Sequence, residues 1–140
     1  MDIIRLNPGR LHQTSGYAHV TIVDSGRLAV LAGQCPLDRD EQVVGHGDVL
    51  AQTDQVAANA AEALAAAGAT PEDVIRSVIY VVSDDPGVLS VVWDRLTASQ
   101  IGPAFTAAST LLGVAALGYR GQLVEVDLTA ALPDQSASRS

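Results

Sequence analysis

The chain has 140 residues, the length of a single domain that buries roughly two thirds of its unfolded surface. Its formal charge is −8, and its 8 cations are all Arg, scattered from Arg5 to Arg139. That pattern argues against a nucleic-acid surface, which needs clustered positive charge to displace counterions from phosphates. One cysteine, Cys35, excludes a disulfide framework and a Cys-rich zinc site, and no apolar run reaches the roughly 18 residues of a membrane span. With no signal-like start either, the expectation is a cytoplasmic protein.

The first elements in chain order are two strands in "AHVTIVDSGRLAVLAGQ", placed around a turn at Asp24-Ser25-Gly26. A polar loop follows, with a short edge strand expected at 42–44. "DVLAQTDQVAANAAEALAAAG" predicts a helix from about Asp48 to Ala67, with Asp48 as N-cap and Gly68 as stop. Its expected apolar stripe is Val49, Val56, Ala60, Ala63, Leu64 and Ala67. "VIRSVIYVV" reads as a strand, and a second helix opens near Pro86 with Val88, Val91, Val92 and Leu96 on one side.

Two more strands, "FTAASTLLGVAAL" and "GQLVEVDLTAAL", are joined at Gly118-Tyr119-Arg120-Gly121. The order β-β-α-β-α-β-β predicts an α+β domain with both helices on one face of the sheet. The domain is expected over 1–132, with a disordered tail at 133–140. Aromatics are only 4% of the chain, and Ala and Val supply much of its apolar content. So thin a core suggests burial of the free sheet face against sister subunits.

Chemistry-bearing motifs are few. There is no glycine-rich phosphate loop, no G-x-S-x-G and no H-E-x-x-H, and His12, His19 and His46 are not spaced as metal ligands. Neither a metal nor a cofactor is therefore expected. Cys35 reads as a small buried thiol, since no basic neighbour would lower its pKa. Gly33-Gln34 closes an apolar strand; it is either a ligand-contacting pair or a strand-ending turn with a capping amide. On the last strand Val124, Val126, Leu128 and Ala130 alternate with Glu125, Asp127 and Thr129. Glu125 is then a solvated side chain or a catalytic carboxylate.

The segments "SGYAHV", "LAGQCPLD", "QTDQVAANAAEALAAAG", "VIRSVIYVV" and "LLGVAALGYRGQLVEVDLTA" follow in the order seen in the RidA (YjgF/YER057c/UK114) family. The chain resembles that family from about Tyr17 to Ala130. The resemblance implies a chorismate-mutase-like fold and a homotrimer with small-molecule sites in the clefts between subunits. It also implies cofactor-free hydrolysis of reactive imines or enamines such as 2-aminoacrylate. It puts the water-positioning glutamate on Glu125, the pocket tyrosine on Tyr17, and the Gly-Gln pair on Gly33 and Gln34. The arginine that grips the substrate carboxylate does not carry over, because Ser109 stands at its position. A family asparagine falls near Val92, and a family cysteine on Leu111.

A serine hydroxyl cannot imitate a bidentate guanidinium–carboxylate pair, and losing one partner of such a pair costs roughly 2–5 kcal/mol of binding. The expectation is therefore a substrate other than 2-aminoacrylate, bulkier and more neutral, in a pocket that includes Ser109 and His19. Arg120, Arg10 or Arg95 from a neighbouring subunit are the possible replacement anchors, Arg120 first. The rival readings are a non-catalytic trimer that binds a metabolite or protein, and a ribonuclease, which the charge opposes.

Overall fold

The computed structural model describes residues 2–133, so Met1 and the tail residues 134–140 lie outside the described residues. The strands are β1 (Ile3–Leu6), β2 (Val20–Val23), β3 (Leu28–Val30), β4 (Val74–Val82), β5 (Ala108–Val114) and β6 (Val124–Ala131). The helices are α1 (Val49–Ala67) and α2 (Pro86–Thr97). A four-stranded mixed sheet runs β3-β6-β4-β5, with β4 and β5 parallel and the other pairs antiparallel. Helix α1 packs on β6 and α2 on β5, and the helices pack on each other. Both therefore cover one face, giving the expected α+β architecture.

The alternation read in the last strand is realised residue by residue. Val124, Val126, Leu128 and Ala130 are all fully buried under the helices, while Glu125, Asp127 and Thr129 are half-buried on the helix-free face. Strand β4 repeats the pattern with Ile79 and Val81 inward. Phe105 and Leu64 fill the remaining core volume.

Helix α1 begins and ends as its sequence predicts. The Asp48 carboxylate accepts from the Ala51 amide at 3.0 Å, and Gly68 closes the helix at φ 82, a left-handed conformation that glycine adopts without steric cost. Val56, Ala60 and Leu64 are buried as expected, whereas Val49, Ala63 and Ala67 are only half-buried. In α2, Val92 and Leu96 are buried but Val91 points outward.

Several pairings differ from the sequence reading. Strand β1 was not anticipated; it pairs with β2 in a separate two-stranded sheet, Ile3 opposite Val23. Strands β2 and β3 do flank the Asp24-Ser25-Gly26 turn, but they do not pair with each other. The turn instead carries the chain between sheets, since β3 finds its backbone partners on the longer β6. Periodicity marks which residues are extended and cannot say which strand they bond, because pairing depends on side-chain packing. Phe105, read as strand, lies in a 3-10 turn at Gly102–Thr106, where Pro103 fixes the backbone. The expected edge strand at 42–44 reduces to one bridge between Leu37 and Val43.

Gln52, fully buried on α1, was missed as a structural residue. Its amide nitrogen donates to the carbonyls of Gly45 (3.2 Å) and Gly121 (2.9 Å), and its oxygen accepts from the Leu123 amide at 2.7 Å. Three backbone groups from two loops are thus satisfied by one side chain. Gln52→Leu keeps the volume but strands all three in an apolar site, each costing about 1–3 kcal/mol. Urea denaturation should show at least about 2 kcal/mol of lost stability; a loss below about 0.5 kcal/mol, the usual surface value, would contradict this role.

Candidate functional site

The side chains assigned from sequence fall into two groups, one on the interior strand β6 beside the Gly33–Cys35 segment and one at the β5 edge. On β6, Glu125 stands on the helix-free face opposite Tyr80 of β4. One oxygen, Oε1, accepts from the Gln122 amide at 3.1 Å and from the Cys35 thiol at 3.4 Å. The other, Oε2, lies against Gly33 so closely that a Cβ there would collide with it. A side chain at position 33 would therefore push the Glu125 carboxylate out of its present place.

The Gly33–Cys35 segment is fixed by its backbone. Gln34 exchanges two bonds with Val126, at 2.7 and 3.1 Å, and Asn59 of α1 donates to the carbonyls of Cys35 and Leu37, both at 2.9 Å. The Gln34 side chain turns back to the Ala32 carbonyl at 3.1 Å, which matches the capping half of the two readings of that pair. Gly33, Gln34 and Cys35 also line an open cleft of about 640 Å³ with Arg39, Asn59 and Tyr119. Glu125 does not line this cleft itself; it touches two residues that do, Gly33 and Cys35. The Tyr119 hydroxyl donates to Glu41 at 2.8 Å, and this bond pushes the phenol's pKa up.

At the β5 edge the segment carrying Tyr17 and His19 docks through Ala18, whose amide donates to the Ala107 carbonyl at 3.2 Å. Tyr17 stands edge-on to Trp93, ring centroids 6.1 Å apart, and Trp93 in turn meets Phe105. Together with Ser90, Asp94 and Leu111, Tyr17 and Trp93 line a pocket of about 360 Å³. The Tyr17 hydroxyl lies 2.8 Å from His12 Nε2, and His19 Nε2 donates to the His12 carbonyl at 2.8 Å.

Ser109 sits in register with the buried Ser77, and the two hydroxyls are 2.5 Å apart. It also donates to the Ala107 carbonyl at 3.0 Å. Ser109 thus faces the helix side of the sheet, and Glu125 the opposite side. They are two strands apart, roughly 10 Å at the usual strand spacing, and offset by three residues along β4, roughly another 10 Å, since Ser109 pairs with Ser77 and Glu125 with Tyr80. A single chain does not bring them together. Val92 is sealed in the core.

The candidate arginines separate clearly. Arg95 is committed to Asp54 through two bonds at 2.8 and 2.7 Å, a pairing that holds the Asp54 carboxyl below its usual pKa range. Arg120 is exposed in the turn beside Tyr119, and Arg10 is exposed near the N-terminus. Arg39, which sequence reasoning did not consider, lines the cleft beside Gly33. His12 and Gln122 were also missed as site residues. His12 gave only its proximity to Tyr17 as a signal, and Gln122 lies outside the alternating run of β6. Among the described residues no three His, Cys, Asp or Glu side chains gather to hold a metal, and no helix is long and apolar enough to cross a membrane.

Cys35 matches the inert thiol expected of it. Burial first, then the Glu125 charge and hydrogen bond, push its pKa from 9.0 to about 11. Only the thiolate is nucleophilic, so iodoacetamide should alkylate Cys35 slowly at pH 8–9 and rapidly only as the pH nears 11. The same shift weakens the fold above pH 9, where the unfolded chain's thiol ionises first. Alkylation at pH 8 as fast as that of an unstructured cysteine peptide would contradict this environment.

Comparison with known proteins agrees with this geometry. The sequence profile of the Endoribonuclease L-PSP family matches residues 9–132. Protein DfrA of Myxococcus xanthus is 33% identical over 116 residues, 81% of this chain and 83% of that protein. The crystal structure of YyfB from Yersinia pestis, a Rid-family protein of unknown function, superposes with a TM-score of 0.82 at 37% identity; the match covers 94% of this chain and 100% of that one. Rv2704 of Mycobacterium tuberculosis, of the YjgF/YER057c/UK114 family, gives 0.61 at 26% identity, with 94% and 100% covered. With its sheet and helices laid out as the sequence resemblance implied, this chain belongs to the Endoribonuclease L-PSP family, the Rid or YjgF/YER057c/UK114 family.

Proposed function

We propose that the protein is a Rid-type hydrolase that deaminates a reactive imine or enamine, with Glu125 as the base that activates water. The observation carrying this reading is the state of the Glu125 carboxylate. A glutamate on a merely wet sheet face would have no fixed partner, yet this one has Oε1 bonded to two side chains and Oε2 over a glycine that leaves room for it.

The chemistry needs no redox step. Water adds to the C=N carbon as Glu125 takes one of its protons and passes it to the imine nitrogen, giving a neutral amino alcohol; Glu125 then takes the hydroxyl proton and delivers it to the nitrogen as the C–N bond breaks and the C=O bond forms. An imine and water become a carbonyl compound and ammonia. Position 109 offers only a hydroxyl that is already bonded, so nothing there would grip a carboxylate. This supports a substrate more neutral than 2-aminoacrylate.

A trimer would complete such a site by bringing one subunit's β5 edge, with Tyr17, His19 and Ser109, against the neighbour's Glu125. The exposed apolar side chains support this assembly: Val30 is 76% exposed, Leu28 52%, and Leu112 41%. The family's ribonuclease name finds no support in this chain, whose charge of −8 repels phosphate.

Glu125→Gln should lower turnover of the true substrate by about 10²–10⁴, the usual worth of a general base, while Asp127→Asn leaves it nearly unchanged. Parent-level activity in Glu125→Gln would overturn the catalytic reading and favour a binding module. With 2-aminoacrylate generated in situ, pyruvate release should barely exceed the uncatalysed rate, and Ser109→Arg should raise it. Light scattering should give three times the 14.5 kDa chain mass; a monomer would leave the two groups apart and the site incomplete.

A further inference from the structure

We propose that Gln122 is a positioning residue which, together with the Cys35 thiol, clamps Oε1 of Glu125 so that only Oε2 is presented to reacting water. The proposal rests on Glu125 being the base and deepens that reading. An isolated glutamate on a strand has a broad, two-fold terminal torsion, and its two oxygens exchange freely. Here both donors reach the same oxygen, from opposite ends of the sequence. The amide N–H is the stronger of the two, since bonds to a charged acceptor exceed neutral ones and a thiol is a weak donor.

Gln122 is well suited to this task because it is itself immobile. It is only 3% exposed. Its nitrogen also donates to the Val124 carbonyl at 3.0 Å, and its oxygen accepts from the Tyr119 amide at 3.2 Å. The loop that carries it is tied to α1 by Gln52, which accepts from the Leu123 amide and donates to the Gly121 carbonyl on either side of it. On the opposite side of the carboxylate, Gly33 supplies the space that Oε2 occupies. Cys35 in turn is held by its own backbone, through Asn59 on its carbonyl. The clamp thus joins α1, the 118–123 turn and the segment after β3 at one oxygen atom.

The test compares Gln122→Met, which keeps length but removes the donor, with Glu125→Gln and the double variant. The substrate probe is a neutral N–H ketimine generated in situ from a primary amine by an amine oxidase, followed by carbonyl release. Gln122→Met should lower kcat by up to about 10²-fold, the usual cost of a 1 Å misplacement, with little change in KM. The double variant should be no slower than Glu125→Gln alone, because a residue acting through the carboxylate has nothing left to position. Losses that multiply would assign Gln122 a general structural role and overturn the clamp. So would parent-level kcat in Gln122→Met alongside an inactive Glu125→Gln. Full activity in Glu125→Gln would instead sink the function reading itself.

A second readout needs no substrate. Alkylation of Cys35 by iodoacetamide at pH 9 should be several-fold faster in Glu125→Gln, where the neighbouring charge is gone. Gln122→Met should not match that gain, because the Gln122 amide itself lowers the thiol's pKa and the Glu125 charge stays in place. Alkylation of Cys35 at the parent rate in Glu125→Gln would contradict the thiol–carboxylate contact on which the clamp rests and overturn it. Circular dichroism and melting curves on each variant separate these outcomes from unfolding. If Gln122→Met does not fold, Cys35→Ala and Cys35→Ser test the same oxygen, with the serine variant retaining more kcat because it keeps a donor.

Discussion

One buried amide ties the candidate site of this protein to its core. Gln52 lies on the inner face of α1 with no exposed surface, and its side chain bonds the loop backbone at Gly45, Gly121 and Leu123. Burying an amide is costly unless all its bonds are met, and here the met bonds fix two loops against a rigid helix. The 118–123 turn therefore has one position. Gln122, Tyr119 and, through Gln122, the carboxylate of Glu125 inherit that position.

From that anchor the sheet distributes chemistry by strand order. The topology β3-β6-β4-β5 puts the Glu125 strand next to the Gly33 segment and keeps Ser109 at the far edge, facing the helices. One side has a held carboxylate near an open cleft, the other an aromatic pocket with Tyr17 and Trp93. Strand pairing makes such a division rigid, because shifting a strand by one residue would turn its whole buried row to solvent.

Small side chains shape the rest. Ala57, Ala60, Ala104, Ala107 and Ala130 are buried at close approaches, and Phe105 supplies the one large aromatic volume of the core. Such a core offers modest apolar area per residue, while Val30, Leu28 and Leu112 leave apolar area in water.

The sequence alone determined the local structure and the face assignments. Period-two alternation placed Glu125 away from the core, and an N-cap aspartate and a stop glycine bounded α1. The resemblance located Gly33, Gln34, Tyr17 and Ser109, because those properties reside in neighbouring residues or in a motif. Only the tertiary structure decided what each side chain meets. That β3 bonds β6 and not β2, that Gln122 and Cys35 reach one oxygen of Glu125, and that Arg95 is already paired with Asp54 all join residues from 41 to 103 positions apart, apart from the short Gln122–Glu125 link. Contacts at such separations follow from packing of whole elements, and no local pattern in the chain encodes them.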